Sequence, residues 1–260
     1  MIPKIIHYCW LSDEPIPSNL QNYINGWKHL LPDYDFKWWN KQNFDIHCVK
    51  WVKQAYEKRK WAFAADYIRA YALYTEGGFY LDSDVLLNKT LNSYLNFGFV
   101  SSIEYNPSYR NIIKKGVDSN NQRRDKEHYL PGIGIQAAII GGEAGHPFLK
   151  DLIEYYRNRE FIKPDGSLDT LPAPAIYMLL LEKYGIKYID KAQYLKNAIR
   201  ILDSSVFASI PTCKFTSAAI HMGAGSWVEQ KYSSRISMKN LLRKSLFIRK
   251  LLNQFNLRSL

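Results

Sequence analysis

The 260-residue sequence is poor in cysteine: Cys9, Cys48 and Cys213 stand far apart with no CxxC pair, which excludes a disulfide framework and a thiolate zinc site. It lacks any apolar run near the eighteen residues that a membrane-crossing helix needs. The opening MIPKIIHYCWL has an apolar stretch cut by His7 and reads as a strand rather than a secretion signal. Acidic residues are outnumbered, 24 Asp and Glu against 35 Lys and Arg for a formal net charge of +11, so an anionic surface or substrate is expected. From position 228 onward there are eight basic residues and the single acid Glu229, a net +7. The remainder is only mildly basic, which argues against a nucleic-acid-binding protein. There is no internal repeat and no low-complexity tract.

What is present is ordinary for a packed domain: 47% hydrophobic and 23% charged residues in a length that suits one large core. Aromatic residues reach 15%; their flat rings suit stacking on sugars and bases but equally fill cores. The cysteine usage fits a reducing compartment, and a cytosolic protein is expected.

Apolar periodicity gives alternating strands and helices. Lys4 to Leu11 reads as a buried strand, Ser18 to Leu31 as a helix, Asp35 to Trp39 as a strand, and Val49 to Lys60 and Trp61 to Glu76 as helices. Gly77-Gly78 supplies a stop and a sharp turn. Phe79-Tyr80-Leu81 and Val85-Leu86-Leu87 then read as an apolar strand interrupted by Asp82-Ser83-Asp84. Further on, Phe97 to Ile103 and Ser217 to Met222 read as strands, Ile133 to Ile140 as an apolar segment, and Pro147 to Asn158 and Ala175 to Tyr184 as helices. The polar stretch from Glu104 to Tyr129 reads as a long surface excursion. This order predicts an α/β domain over residues 1–230 with a mainly parallel mixed sheet. Residues 231–260 form a separate basic segment in which Met238, Leu241, Leu242, Ile248, Leu251, Leu252 and Phe255 fall roughly on one helical face. Two readings of it stay open: peripheral contact with an anionic membrane, or packing on the domain with solvated lysines.

Two aspartates one residue apart at the end of an apolar strand are costly to hold together without a cation beside them. Ligands of open α/β sheets bind beyond the carboxyl ends of strands, so Asp82 and Asp84 point toward the expected crevice, with oxygen donors suited to Mg²⁺ or Mn²⁺. A bare DxD is weak, but its surroundings strengthen it. Asp66 and Arg69 share one face of the helix leading into that strand, where they form an ion pair or line a pocket for sugar hydroxyls. Trp10 closes the first strand, either to stack on a base or to fill the core. His221 closes the last strand ahead of Gly223-Ala224-Gly225-Ser226-Trp227, as a metal or phosphate ligand or as a structural histidine.

The segments IPKIIHYCWL, FAADYIRAYALYTEGGFYLDSDV and IHMGAGSW resemble the DXD-motif glycosyltransferases of family 32, which include the yeast initiating mannosyltransferase and bacterial capsular polysaccharide enzymes. The sequence is more distantly similar to the sugar-transfer domain of the large clostridial glucosylating toxins. The resemblance implies a GT-A fold and transfer of a hexose, with retention, from a nucleotide-sugar, most often a UDP-sugar. By the same resemblance Trp10 would stack on uracil, Asp66 and Arg69 would hold the donor sugar, Asp82 would contact ribose and sugar, and Asp84 would bind Mn²⁺ or Mg²⁺. His221 stands where the toxins have an acid, and Ser226 and Trp227 match a Ser-Trp pair near the diphosphate. The acceptor is expected at the Glu104 to Leu130 excursion and the Pro131 to Gln136 segment. With the basic C-terminus, this suggests a lipid-linked oligosaccharide or lipopolysaccharide core at the inner membrane face. Two rivals remain: a haloacid-dehalogenase-type phosphatase with Asp82 as nucleophile, which lacks a downstream Gly-Asp-x-x-x-Asp motif here, and a non-catalytic sugar-binding module.

Overall fold

The structure, a computed structural model, describes residues 1–223. The chain runs β1 (Ile5–Cys9), α1 (Ser18–Leu30), β2 (Asp35–Trp39), α2 (Lys50–Glu57), α3 (Trp61–Glu76), β3 (Gly78–Leu81), β4 (Val85–Leu87), β5 (Phe99–Tyr105), α4 (Arg110–Gly116), β6 (Ile133–Ile135), β7 (Ile139–Gly142), α5 (Pro147–Arg157), α6 (Ala173–Leu181), β8 (Gln193–Leu195), β9 (Ile199–Leu202), β10 (Phe207–Ser209) and β11 (Ala219–His221). The main sheet has eight strands in the order β2-β1-β3-β7-β5-β9-β8, with β6 paired to β5. β1, β2, β3, β5 and β9 run one way, while β6, β7 and β8 run against them. This is the α/β class expected, a mixed sheet with one dominant direction. A second sheet, β10-β11-β4, lies beside it.

The apolar spacing of α1 buries Leu20, Ile24 and Trp27, and the Trp27 indole donates to the Val85 carbonyl at 2.7 Å. That bond ties α1 to the strand after the aspartate pair. α3 is buried nearly all round, from Phe63 to Leu73, between the sheet and its neighbours α2 and α5. A helix with so little polar face holds polar side chains only where they find partners. It ends at Gly77, whose φ of +69° is the left-handed turn that favours glycine. A Cβ on Gly78 would lie 2.6 Å from the Ile5 carbonyl oxygen, so the second glycine lets β3 close on β1.

The apolar residues on either side of the aspartate pair belong to different sheets: β3 to the main one, β4 to the small one. The turn between them, closed by Val85 N–H to Asp82 C=O at 3.0 Å, is the junction of the two. The expected excursion starts later than the sequence suggests, because Glu104 and Tyr105 are still in β5, paired with β6. It also folds back on the domain. Arg123 is buried and donates to the Glu182 carboxylate at 3.0 Å and to the Asp125 carbonyl at 2.6 Å. Among the described residues no helix is long and apolar enough to cross a membrane. The expected domain limit at 230/231 and the basic segment 231–260 lie outside the described residues.

Candidate active site

β1, β3 and β5 share one direction, so their carboxyl ends deliver Trp10, Asp82 and Glu104 to the same edge of the sheet. α3 runs back along the sheet and contributes Asp66 and Arg69. β11, antiparallel to β4 with His221 opposite Val85, brings its imidazole to Asp84; the Met222 amide donates to the Asp84 carbonyl at 3.1 Å. Trp10, Asp66, Arg69, Asp82, Asp84 and His221 thereby line one cavity of about 380 Å³, a size suited to a small-molecule ligand. Ser226 and Trp227 lie outside the described residues.

Arg69 organises the floor. Its guanidinium is 3.0 Å from Asp66, 3.4 Å from Asp82, and donates to the Ala137 carbonyl at 2.7 Å. Its Cζ stands 4.9 Å above the Tyr80 ring. Burial works against its charge, but Asp82 and Asp66 outweigh that and hold the guanidinium protonated. Burial pushes the Asp66 carboxyl up to about 7, partly opposed by Arg69. The sequence left an ion pair and a pocket-lining role as alternatives for these two residues; the structure gives both.

Asp82, Asp84 and His221 offer ligand atoms that all lie within 4.8 Å of one another. The His221 Nε2 is 3.4 Å from Asp84 Oδ1. Burial lowers the pKa of this imidazole, yet hydrogen bonding and charge from Asp84, with Asp82 and Glu104 beyond, hold it at about 9. Three carboxyl groups therefore face one imidazole, which can coordinate a cation once it gives up a proton. Two carboxylates and an imidazole fit a divalent ion of intermediate hardness, and the nitrogen donor favours Mn²⁺ over Mg²⁺.

The Trp10 indole N–H is already used by the Glu14 carbonyl at 2.7 Å. What Trp10 offers the cavity is its ring face.

Two site residues went unrecognised in the sequence. Glu104 is the penultimate residue of β5 and lines the cavity; burial raises its carboxyl, partly opposed by His221, and Asp82 adds to the rise. The argument that singled out Asp82, a carboxylate at the carboxyl end of a strand, applies equally to it. Gln136 interrupts the apolar run Ile133 to Ile140 and is buried. Its side-chain oxygen accepts the Ala138 amide at 3.0 Å, and its amide nitrogen donates to Ser209 at 2.9 Å. The Ala138 carbonyl in turn accepts the Asp82 amide at 2.9 Å. Gln136 thus fixes the backbone that holds both Arg69 and Asp82.

Residues 17–100, which span α1 through the aspartate pair, match the family model described as glycosyltransferase sugar-binding region containing DXD motif. The chain contains a DXD glycosyltransferase region. The chain is 28% identical over 157 residues to inositol phosphoceramide mannosyltransferase 3 of Schizosaccharomyces pombe, covering 58% of this chain and 36% of that protein. It is 33% identical over 109 residues to the uncharacterized glycosyltransferase L373 of Acanthamoeba polyphaga mimivirus, covering 38% of this chain and 42% of that one. The chain therefore spans less than half the length of these two relatives. Among solved structures, the PaToxG glycosyltransferase aligns with a TM-score of 0.46 at 15% identity, over 70% of this chain and 69% of that chain.

Proposed function

We propose that the protein is a metal-dependent, retaining glycosyltransferase that moves a hexose from a UDP-sugar to a saccharide acceptor. The observation that carries this reading is the convergence of Asp82, Asp84 and His221 within 4.8 Å, beside the buried Asp66–Arg69 pair in a DXD glycosyltransferase region. Asp84, Asp82 and His221 would hold Mn²⁺ or Mg²⁺, which would supply positive charge to offset the negative charge developing on the departing diphosphate.

The remaining work falls to the chain. Trp10 presents a ring face to the base. Asp66 accepts from sugar hydroxyls, and Arg69, itself pinned at three points, donates to the sugar while orienting Asp82. The bond between the anomeric carbon and the diphosphate oxygen breaks as the acceptor oxygen attacks from the same face. The departing oxygen takes the acceptor proton, so retention needs no carboxylate nucleophile. Isolation of a covalent sugar adduct on an enzyme carboxylate would refute that route.

A phosphatase using Asp82 as nucleophile has less support, because Arg69 stands 3.4 Å from that carboxylate and restrains its charge. We assign the acceptor to capsule, exopolysaccharide or lipopolysaccharide synthesis, with the basic 231–260 segment resting on the inner face of the cytoplasmic membrane.

The deciding experiment is a panel of nucleotide sugars with Mn²⁺, scored by release of free nucleotide. Asp84→Ala should lose about 10²-fold or more in rate. Full activity in that variant would overturn the assignment.

A further inference from the structure

The candidate ion site is assembled from two sheets. Asp82 follows β3 of the main sheet, His221 ends β11 of the small one, and Asp84 lies in the turn that joins them. Their ligand atoms meet within 4.8 Å, so the relative placement of the two sheets decides whether the three groups close on one point. A single short turn leaves that placement loose. The side chains that cross the junction have to fix it.

Gln136 is one of them. It lies where β6 gives way to β7, and the pairing with β5 slips at that place: Ile135 faces Ile103 and Gly141 faces Val100, which leaves Gln136 to Ile140 opposite only Ser101 and Ser102. A bulge of this kind turns backbone groups out of the ladder and aims them elsewhere. Here the Ala137 carbonyl accepts from Arg69 at 2.7 Å, and the Ala138 carbonyl accepts the Asp82 amide at 2.9 Å. Both serines tie the displaced chain down: the Ser101 hydroxyl donates to the Gln136 carbonyl at 2.6 Å, and the Ser102 carbonyl accepts the Gln136 amide at 2.8 Å. A carboxamide buried in an apolar run is costly unless both its ends are bonded. The Gln136 side chain meets that condition by accepting the Ala138 amide at 3.0 Å and donating to the Ser209 hydroxyl at 2.9 Å.

The second of these bonds leaves the main sheet. Ser209 ends β10 and is the register partner of His221. One side chain therefore runs from the residue that holds the Asp82 backbone to the residue beside His221. The Phe207 amide, which donates to the Ser102 hydroxyl at 3.0 Å, fastens the start of β10 to β5; the Gln136–Ser209 bond fastens the end where His221 stands.

We propose that Gln136 is a positioning residue for the divalent ion: its carboxamide, braced on Ser209, sets the separation of Asp82 and His221 and with it the affinity for the ion. It acts through Ala138 and Ser209, not by ligation. The inference deepens the metal-dependent reading and rests on it for the ion.

The test titrates the full chain with Mn²⁺, alone and with UDP, and follows loss of the free-ion electron paramagnetic resonance signal. Gln136→Met keeps the side-chain length but neither hydrogen bond, and should weaken Mn²⁺ binding by about tenfold or more, as loss of a group that orients a metal ligand does. Ser209→Ala should cost about three- to tenfold, whereas Ser209→Thr, which keeps the hydroxyl, should stay within about twofold of the wild type. The double variant Gln136→Met with Ser209→Ala should bind no worse than Gln136→Met alone, because both changes break the same bond. Tyr184→Phe removes a hydroxyl bond to Asp151 that lies outside the donor cavity. It should leave the ion affinity unchanged and so measures general loosening.

Unchanged affinity in Ser209→Ala, equal losses in Ser209→Ala and Ser209→Thr, or additive losses in the double variant overturn the proposal, while ion binding by the wild type keeps the metal-dependent reading in place. A loss in Tyr184→Phe as large as that in Ser209→Ala does the same. If the wild type takes up no Mn²⁺ with or without UDP, the metal-dependent reading fails and this inference falls with it. Should Gln136→Met not fold, the two Ser209 variants decide.

Discussion

Arg69 illustrates how a buried charge is made tolerable in this site. Its neighbours are two carboxylates, a carbonyl and an aromatic face, and its removal would leave Asp66 and Asp82 facing each other in a poorly solvated pocket. Arg69→Met should lose about 3–5 kcal/mol of stability, the cost of stranding a buried partner, as read by urea denaturation. Lysine retains charge but not the planar fork, so Arg69→Lys should recover only part of the loss. A second buried residue, His7, gives a pH dependence with a defined sign. Its Nδ1 accepts the Trp39 indole N–H at 3.0 Å, and its Nε2 donates to the Gly77 carbonyl at 2.8 Å. A second proton would point at the Trp39 donor. Burial, the largest effect, lowers the pKa below the usual 6.5, and the Gly77 carbonyl only partly restores it. Because the unfolded chain takes up that proton first, this contribution is present above about pH 6.5 and is lost as the pH falls from there through the lower folded-state value. Asp66 and His221, whose folded-state values are raised, act in the opposite direction, so the His7 contribution is read as a difference: the unfolding free energy of the wild type minus that of His7→Gln should fall between pH 7.5 and 5.5.

At the level of elements, the first half of the chain was legible because its signals agree. Asp35–Trp39 and Trp61–Glu76 fall where their patterns place them, since β alternation, helical spacing and the Gly77-Gly78 stop all point the same way. The β8–β9 hairpin was not legible. Its turn holds Asn197 and Ala198 at φ of +60° and +54°, and alanine in the left-handed region carries no sequence signal for a turn. That strain also yields a prediction. Ala198→Gly should stabilise the fold by roughly 0.5–1 kcal/mol, the left-handed penalty of a Cβ reduced by glycine's greater unfolded entropy; an unchanged melting temperature would count against it. The site was read in part for a similar reason. Asp66, Arg69, Asp82 and Asp84 lie within one continuous helix–strand block, whereas Glu104 and Gln136 join them through sheet order, which local pattern does not encode.

For the molecule as a whole, the described residues account for only part of the charge asymmetry. The net +7 from position 228 onward is the feature that would bring the chain to an anionic lipid surface. Deleting residues 237–260 should abolish sedimentation with phosphatidylserine vesicles while leaving nucleotide release from the donor largely unchanged. Vesicle binding that survives the deletion would place the contact elsewhere. Charge and chemistry are thus assigned to different stretches, so each can be altered separately.

The excursion after β5 begins and ends on hydrogen-bonded partners: Tyr105 pairs with Ile133, and the Asn106 amide donates to the Gly132 carbonyl at 2.8 Å. A segment that departs and returns at one clasp can be exchanged for one of different length without shifting the strands on either side, provided the replacement also supplies a partner for Glu182, which Arg123 now satisfies. Divergent copies of this enzyme could then acquire new customers by swapping that insert alone, and a chimera joined at the clasp would inherit the taste of the donor of the insert while keeping the sugar-nucleotide habits of its host.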